Sequence, residues 1–288
     1  MPGVFVLIWS TGFIVARYGM PHAPPLSFLA VRYALSVLCF GVWVVVAGVA
    51  WPRTRGQWLH LAVTGVLMHA GYLGGVWAAV KAGMGSGLTA LIVGVQPVLT
   101  ALWLSAAGTR VSARQWLGLG LGFVGLVLVV SRKFVQGGPG DTATWQNLAY
   151  AVGALVCITA GTLYQKRHVT PCDVRSANAV QLMAALVVTL PLALLEPEPM
   201  VWHPELVGAM AWSVFGLTLG GSSLLYMLIQ RGAAATVSSL MYLVPPCTAL
   251  IAWVLFDEPI TPLTLLGTAV TAVGVGLVVR QPSEKATG

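Results

Sequence analysis

With 57% hydrophobic residues, 8% charged residues and a mean hydropathy of +0.85, this 288-residue chain lacks the polar surface that a soluble protein of its length requires. The net charge of +7 has no domain outside the lipid to sit on, so it reads as an orientation signal and a set of contacts to anionic lipid heads, and not as a nucleic-acid surface. The four cysteines, Cys39, Cys157, Cys172 and Cys247, have no metal-ligand spacing and read as small packing residues.

A helix needs about 20 apolar residues to cross about 30 Å of hydrocarbon, and ten such stretches follow one another along the chain. The first, residues 3–20, carries Trp9, Ser10 and Thr11; it has no basic leader and no small-residue cleavage site, so it reads as a retained helix. The second, residues 27–50, holds Arg32, read as reaching for the outer interface, with binding of a substrate carboxylate as the other reading. The third, residues 57–80, places His69 near mid-membrane, one turn before Tyr72 on the same face, with Trp77 further along. A midplane histidine either hydrogen-bonds a neighbouring helix or faces a cavity, and Trp77 either lines that cavity or belongs to an interfacial belt.

The fourth span, residues 85–107, gathers Thr89, Gln96, Thr100 and Trp103 on one face and is interrupted by Pro97. The fifth, residues 113–131, has Gly118, Gly122 and Gly125 along it, a small-residue seam for close packing. A Gly-rich connection, residues 136–144, leads to spans at 145–163, 174–195, 205–229, 234–256 and 262–279. Tyr226 falls in the eighth of these ten, and Ser238, Ser239, Tyr242, Pro245 and Pro246 in the ninth; Gly267 and Gly274 repeat the glycine seam in the tenth.

Residues 83–131 lie over residues 232–280 at a constant shift of 149 positions with no gap, pairing Gly83, Pro97, Gly118 and Gly125 with Gly232, Pro246, Gly267 and Gly274. The same shift carries Gly12 onto Gly161, Ser27 onto Ser176 and Trp77 onto Tyr226, so the chain reads as a duplication: 1–135, a linker 136–144 outside the cell, and 145–288. Arg53, Arg55, Arg110 and Arg114 occupy connections whose counterparts hold His203, Glu205, Asp257 and Glu258. Basic connections stay cytoplasmic, so the two copies are expected to cross the membrane in opposite directions, with both termini inside. Inverted repeats with an odd number of spans are a common plan for secondary transporters.

All eight carboxylates lie in or beside connections, which argues against a carboxylate relay through the bilayer. A solute would be held by uncharged polar groups, aromatic faces and freed carbonyls. Pro97 and Pro246, matched by the repeat, each displace a carbonyl four residues back, at Val93 and Tyr242, and Pro245 does the same at Met241. Such breaks at equal depth in both copies point to a central site or gate, or to plain packing kinks.

The opening Val6-Leu7-Ile8-Trp9-Ser10-Thr11-Gly12-Phe13, the Arg32 segment, the Gln96-Pro97 and Pro245-Pro246 turns, and Leu255-Phe256-Asp257-Glu258-Pro259-Ile260-Thr261 running into Gly267 and Gly274 resemble the drug/metabolite transporter superfamily. The likeness covers essentially the whole chain and is to the ten-span EamA-type members. Gly108-Thr109-Arg110 departs from the pattern where many members carry an acid. The opening motif with His69, Tyr72 and Trp77 is similar to bacterial inner-membrane exporters of aromatic amino acids.

That resemblance implies an all-α, polytopic fold, ten helices as two inverted five-helix repeats around a central cavity, working by alternating access and not as an enzyme. The expected substrate is an amino acid or amphipathic metabolite, and the expected setting a bacterial inner membrane, with membrane lipids as partners, no nucleic acid, no cofactor, no metal, and a monomer before a dimer. The expected binding residues are His69, Tyr72, Trp77, Gln96, Tyr226, Ser238, Ser239, Tyr242, Trp9 and Ser10, with Pro97, Pro245 and Pro246 at helix breaks. An exporter of lipophilic cations is the alternative. A membrane-embedded enzyme would need paired intramembrane acids or an H-E-x-x-H pattern, and neither is present.

Overall fold

The computed structural model describes residues 2–106, 112–136, 142–221, 224, 244–258 and 260–279. Every regular element in these residues is a helix. In chain order they are α1 (Pro2–Gly19), α2 (Pro25–Val46), α3 (Arg55–Lys81), α4 (Ser86–Gly94), α5 (Gln96–Ala106), α6 (Ala113–Gln136), α7 (Trp145–His168), α8 (Val174–Ala193), α9 (Pro204–Ala211), α10 (Val244–Phe256) and α11 (Pro262–Val279). Four of them, α2, α3, α7 and α8, are long and apolar enough to cross a bilayer. Their outward faces carry exposed Leu35, Leu38, Val45, Val187 and Leu190, a surface suited to lipid.

Local sequence sets the ends. Pro24 and Pro25 start α2, because a missing N–H costs nothing in a first turn. Thr54 with Gln57 and Thr144 with Asn147 form reciprocal capping boxes at the starts of α3 and α7. Glu258 caps α4 from a distance: it accepts from the Ser86 and Gly87 amides at 3.0 and 3.3 Å and from Ser86 Oγ at 2.8 Å, and its Oε1 pairs with Arg17 at 2.6 Å.

Two interruptions position the interior. The helical ladder of α3 widens to π geometry over Val66–Gly71, and α9 continues as a π segment over Trp212–Gly221. Residues 66–71 fall on 215–220 under the 149 shift, so the same irregularity recurs at the same place; sequence periodicity carries no sign of it. The fourth span is not one helix: α4 stops at Gly94, Val95 turns, and α5 resumes at Gln96 with Pro97 in its first turn. Pro245 and Pro246 likewise occupy the first turn of α10, whose preceding residues lie outside those described.

Small residues bring the helices together. A Cβ on Gly75 would lie 2.7 Å from the Tyr150 carbonyl oxygen, and one on Gly71 2.7 Å from Cys157 Sγ, so α3 lies tight on α7. Gly65 has the Gln181 backbone against it. The α6–α11 seam is equally close, Gly125 against Thr271 and Gly274 against Gly118.

Polar contacts sort the helix ends into two groups. Val201 N–H donates to His22 O at 2.8 Å, Thr142 N–H to Gly83 O at 3.1 Å, and Lys81 pairs with Glu198 at 2.6 Å. These contacts gather the ends of α1, α3 and α8 with the starts of α7 and α9. The other group has Gln57 donating to Thr170 at 2.9 Å and His60 Nδ1 sharing a hydrogen bond with the Tyr164 hydroxyl at 2.8 Å, so the start of α3 meets the end of α7.

Candidate substrate site

Where α1, α2, α3, α7, α8 and the second π segment converge, the helices leave a cavity of about 130 Å³. Its apolar wall includes Trp9 and Phe13 from α1, Leu73 from α3, Ile158 from α7 and Leu217 from the second π segment. Its polar groups are Arg32, Tyr33, His69, Tyr72 and Thr218. The π segments contribute His69 and Thr218, and such segments recur at functional sites because they displace side chains from the regular helical register.

Arg32 does not reach the outer interface. It is 7% exposed, and its Nε and Nη2 donate to Thr218 Oγ1 at 3.3 and 3.1 Å. Its position early in α2 would have allowed snorkelling, but Thr218, brought in by the second π segment, offers an acceptor nearer than water. The Thr218 hydroxyl in turn donates to Ser213 O at 2.8 Å, a five-residue reach natural to π geometry. Tyr33 OH donates to His69 O at 2.8 Å, and Gln181 of α8 lies beside His69.

These contacts follow the same shift of 149 positions. Arg32 and Gln181 stand 149 positions apart, and so do Thr218 and His69. Each α2-type helix therefore presents one polar side chain to the π segment of the other half: Arg32 to Thr218, and Gln181 to His69. Gly12 facing Leu217 and Gly161 facing Met68 repeat the relation one layer away.

Among the expected binding residues, His69, Tyr72, Trp77 and Trp9 border the cavity. Trp77 is fully buried and stacks on Phe28 with ring centroids 4.2 Å apart, so it is wall rather than a free platform, and it is no interfacial belt residue. Trp9 rests against Phe5 at 5.4 Å. Ser10 points elsewhere, its Oγ donating to Val6 O at 2.7 Å, while Thr248 donates to Ser10 O at 3.2 Å. Gln96 ties α5 to α7 through Thr162 at 3.0 Å and does not line this cavity. Pro245 and Pro246 line a smaller gap with Gly94 and Thr271, where the broken fourth span crosses α10. Tyr226, Ser238, Ser239 and Tyr242 lie outside the described residues. Thr218, Gln181 and Tyr33 did not stand out in the sequence, although the 149 shift that pairs Arg32 with Gln181 could have flagged the first two.

Outside the spans, His22 stacks on His203 and its Nε2 meets Glu205 Oε2 at 2.8 Å; hydrogen bonding from His22, then the nearby His203, holds the Glu205 carboxyl below its ordinary value. The three donor atoms lie within 4.8 Å of one another, close enough for a metal ion, but here they engage each other. Across the molecule, hydrogen bonds from Arg175 hold Asp173 low, and burial raises the neighbouring Cys172 thiol.

An all-helical chain with lipid-suited outer faces, enclosing a small aromatic-walled cavity with a buried cation, has the build of a membrane transporter. The chain belongs to the EamA-like transporter family, which it matches over residues 4–131 and 146–280. It is 25% identical over 275 residues to the "Uncharacterized inner membrane transporter YedA" of Escherichia coli K12, covering 94% of this chain and 87% of that protein. It is 23% identical over 281 residues to a "Probable amino-acid metabolite efflux pump" of Salmonella typhimurium LT2, covering 94% and 90%. A crystal structure 16% identical to the chain superposes with a TM-score of 0.64 over 96% of this chain and 94% of the other, so the fold is shared. The protein is a polytopic membrane transporter and not an enzyme.

Proposed function

We propose that this transporter exports amino acids, aromatic and other neutral ones, or related metabolites, by alternating access between two five-helix repeats set upside down to each other. The observation that carries the reading is the cavity in which His69, Tyr72 and Trp9 meet groups from the other half of the chain. Its inverted arrangement is supported by the helix ends: α1 finishes on the side where α7, its counterpart, begins. Both termini are cytoplasmic in this reading, and the setting is a bacterial inner membrane. The efflux pump named among the relatives supports export.

Trp9 and Tyr72 hold the apolar side chain of the solute, and an ammonium over either ring gains roughly 0.5–2 kcal/mol. His69 supplies a hydrogen bond at the floor. Tyr226, Ser238, Ser239 and Tyr242 are further contacts to the solute in this reading, while Pro97, Pro245 and Pro246 allow the fourth and ninth spans to bend.

The test is efflux of labelled tryptophan and leucine from proteoliposomes. His69→Ala and Tyr72→Ala are each expected to cut flux by about tenfold, the loss of one hydrogen bond or aromatic contact in a dry site. Unchanged flux in both would reject the site; no flux of any neutral amino acid through the unaltered protein would reject the substrate.

A further inference from the structure

We propose that the site recognises its solute by the carboxylate, held between Arg32 and the second π segment, and that an ammonium group is not required. This deepens the amino-acid reading above and rests on the same cavity. The substrate class becomes hydrophobic monocarboxylates, with or without an amino group, and lipophilic amines are excluded.

Arg32 lies more than nine-tenths buried, and among the described residues no carboxylate pairs with it; Asp141 and Glu284 are the two acids outside them. A desolvated cation without a counter-charge is expensive and persists where it serves a ligand. A guanidinium has five N–H groups. Nε and Nη2 converge on the single oxygen of Thr218, and no other acceptor among the described residues takes the rest. The Thr218 hydrogen is committed to Ser213 O, so the hydroxyl fixes the fork in place without neutralising it. A carboxylate matches that planar fork in shape and charge.

The duplication makes the charge one-sided. At the counterpart of Arg32 stands neutral Gln181, and at the counterpart of Thr218 stands His69, so of the two matched pairs only Arg32 with Thr218 carries a permanent charge. An amine entering without an anion meets like charge in a low-dielectric site and finds no acid among the described residues to hold it. A carboxylate at Arg32 leaves the body of the solute against Trp9, Phe13 and Leu217.

Three probes with one indole body decide the matter: tryptophan, indole-3-propionate and tryptamine, titrated calorimetrically into the detergent-purified protein and then tested for counterflow in liposomes. Tryptophan and indole-3-propionate are expected to bind within about tenfold of each other, and tryptamine at least about tenfold more weakly. Arg32→Gln, which installs the side chain that the counterpart position already holds, should weaken both carboxylates about tenfold or more and leave tryptamine no weaker. Arg32→Lys should keep part of the affinity, which separates loss of charge from loss of fold. Tryptamine binding as tightly as indole-3-propionate, no binding of indole-3-propionate, or no effect of Arg32→Gln on it overturns the proposal. Indole-3-propionate held through Arg32 while no neutral amino acid is transported overturns the amino-acid reading alone.

Discussion

Glu258 satisfies four donors from two helices, the Ser86 and Gly87 amides, Ser86 Oγ and Arg17 Nη1, while almost entirely buried. Removing this buried carboxylate takes the acceptor from the Ser86 and Gly87 donors and a charge from beside Arg17, so Glu258→Ala should cost about 3 kcal/mol. In detergent this reads as a fall in Tm of roughly 6–10 °C; a change within about a degree would show that the cap contributes nothing. The motif around Glu258 was legible in the chain because its spacing is local. Its partners were not, because Ser86 is 172 positions away and Arg17 is 241 away. The same limit explains Arg32: position within a span suggested an escape to the interface, and only the arrival of Thr218 from another helix reversed it.

At the scale of elements, the helices and most of their ends follow from apolar length, capping pairs and proline, all short-range features. The π segments do not, since they arise where packing forces an extra residue into a turn, and no residue type announces them. Glycine seams were legible as seams but not as contacts. The α6–α11 crossing makes the difference measurable: Gly274→Ala would place a methyl on the backbone of Gly118 and Gly122, whereas Gly276 has open space around it. Gly274→Ala should destabilise by about 1–3 kcal/mol, while Gly276→Ala should be neutral or stabilise by up to about 1 kcal/mol. Equal effects of the two, read from thermal unfolding in detergent, would mean that the seam is not tight.

For the whole molecule, the two sets of helix ends are expected to face opposite compartments. Cysteines placed at Gly56 and at Trp202, both exposed, should react with a membrane-impermeant maleimide from opposite sides of the membrane. Cys172 is a free cysteine that lies with the Gly56 set, so it is best replaced by serine first. Labelling of both positions from the same side would contradict the inverted arrangement.

Composition determined, without coordinates, that the chain is a helical membrane protein and where most of its described apolar helices lie, because lipid demands internally satisfied backbone over a fixed thickness; the break of the fourth span at Val95 came only from the structure. Which side chains share a cavity was decided only in three dimensions. Arg32 meets Thr218, and Gln181 meets His69, across more than a hundred residues of chain. Such meetings depend on how glycine contacts and π segments set the approach of whole helices, and that geometry is a property of the packed assembly rather than of any stretch of sequence.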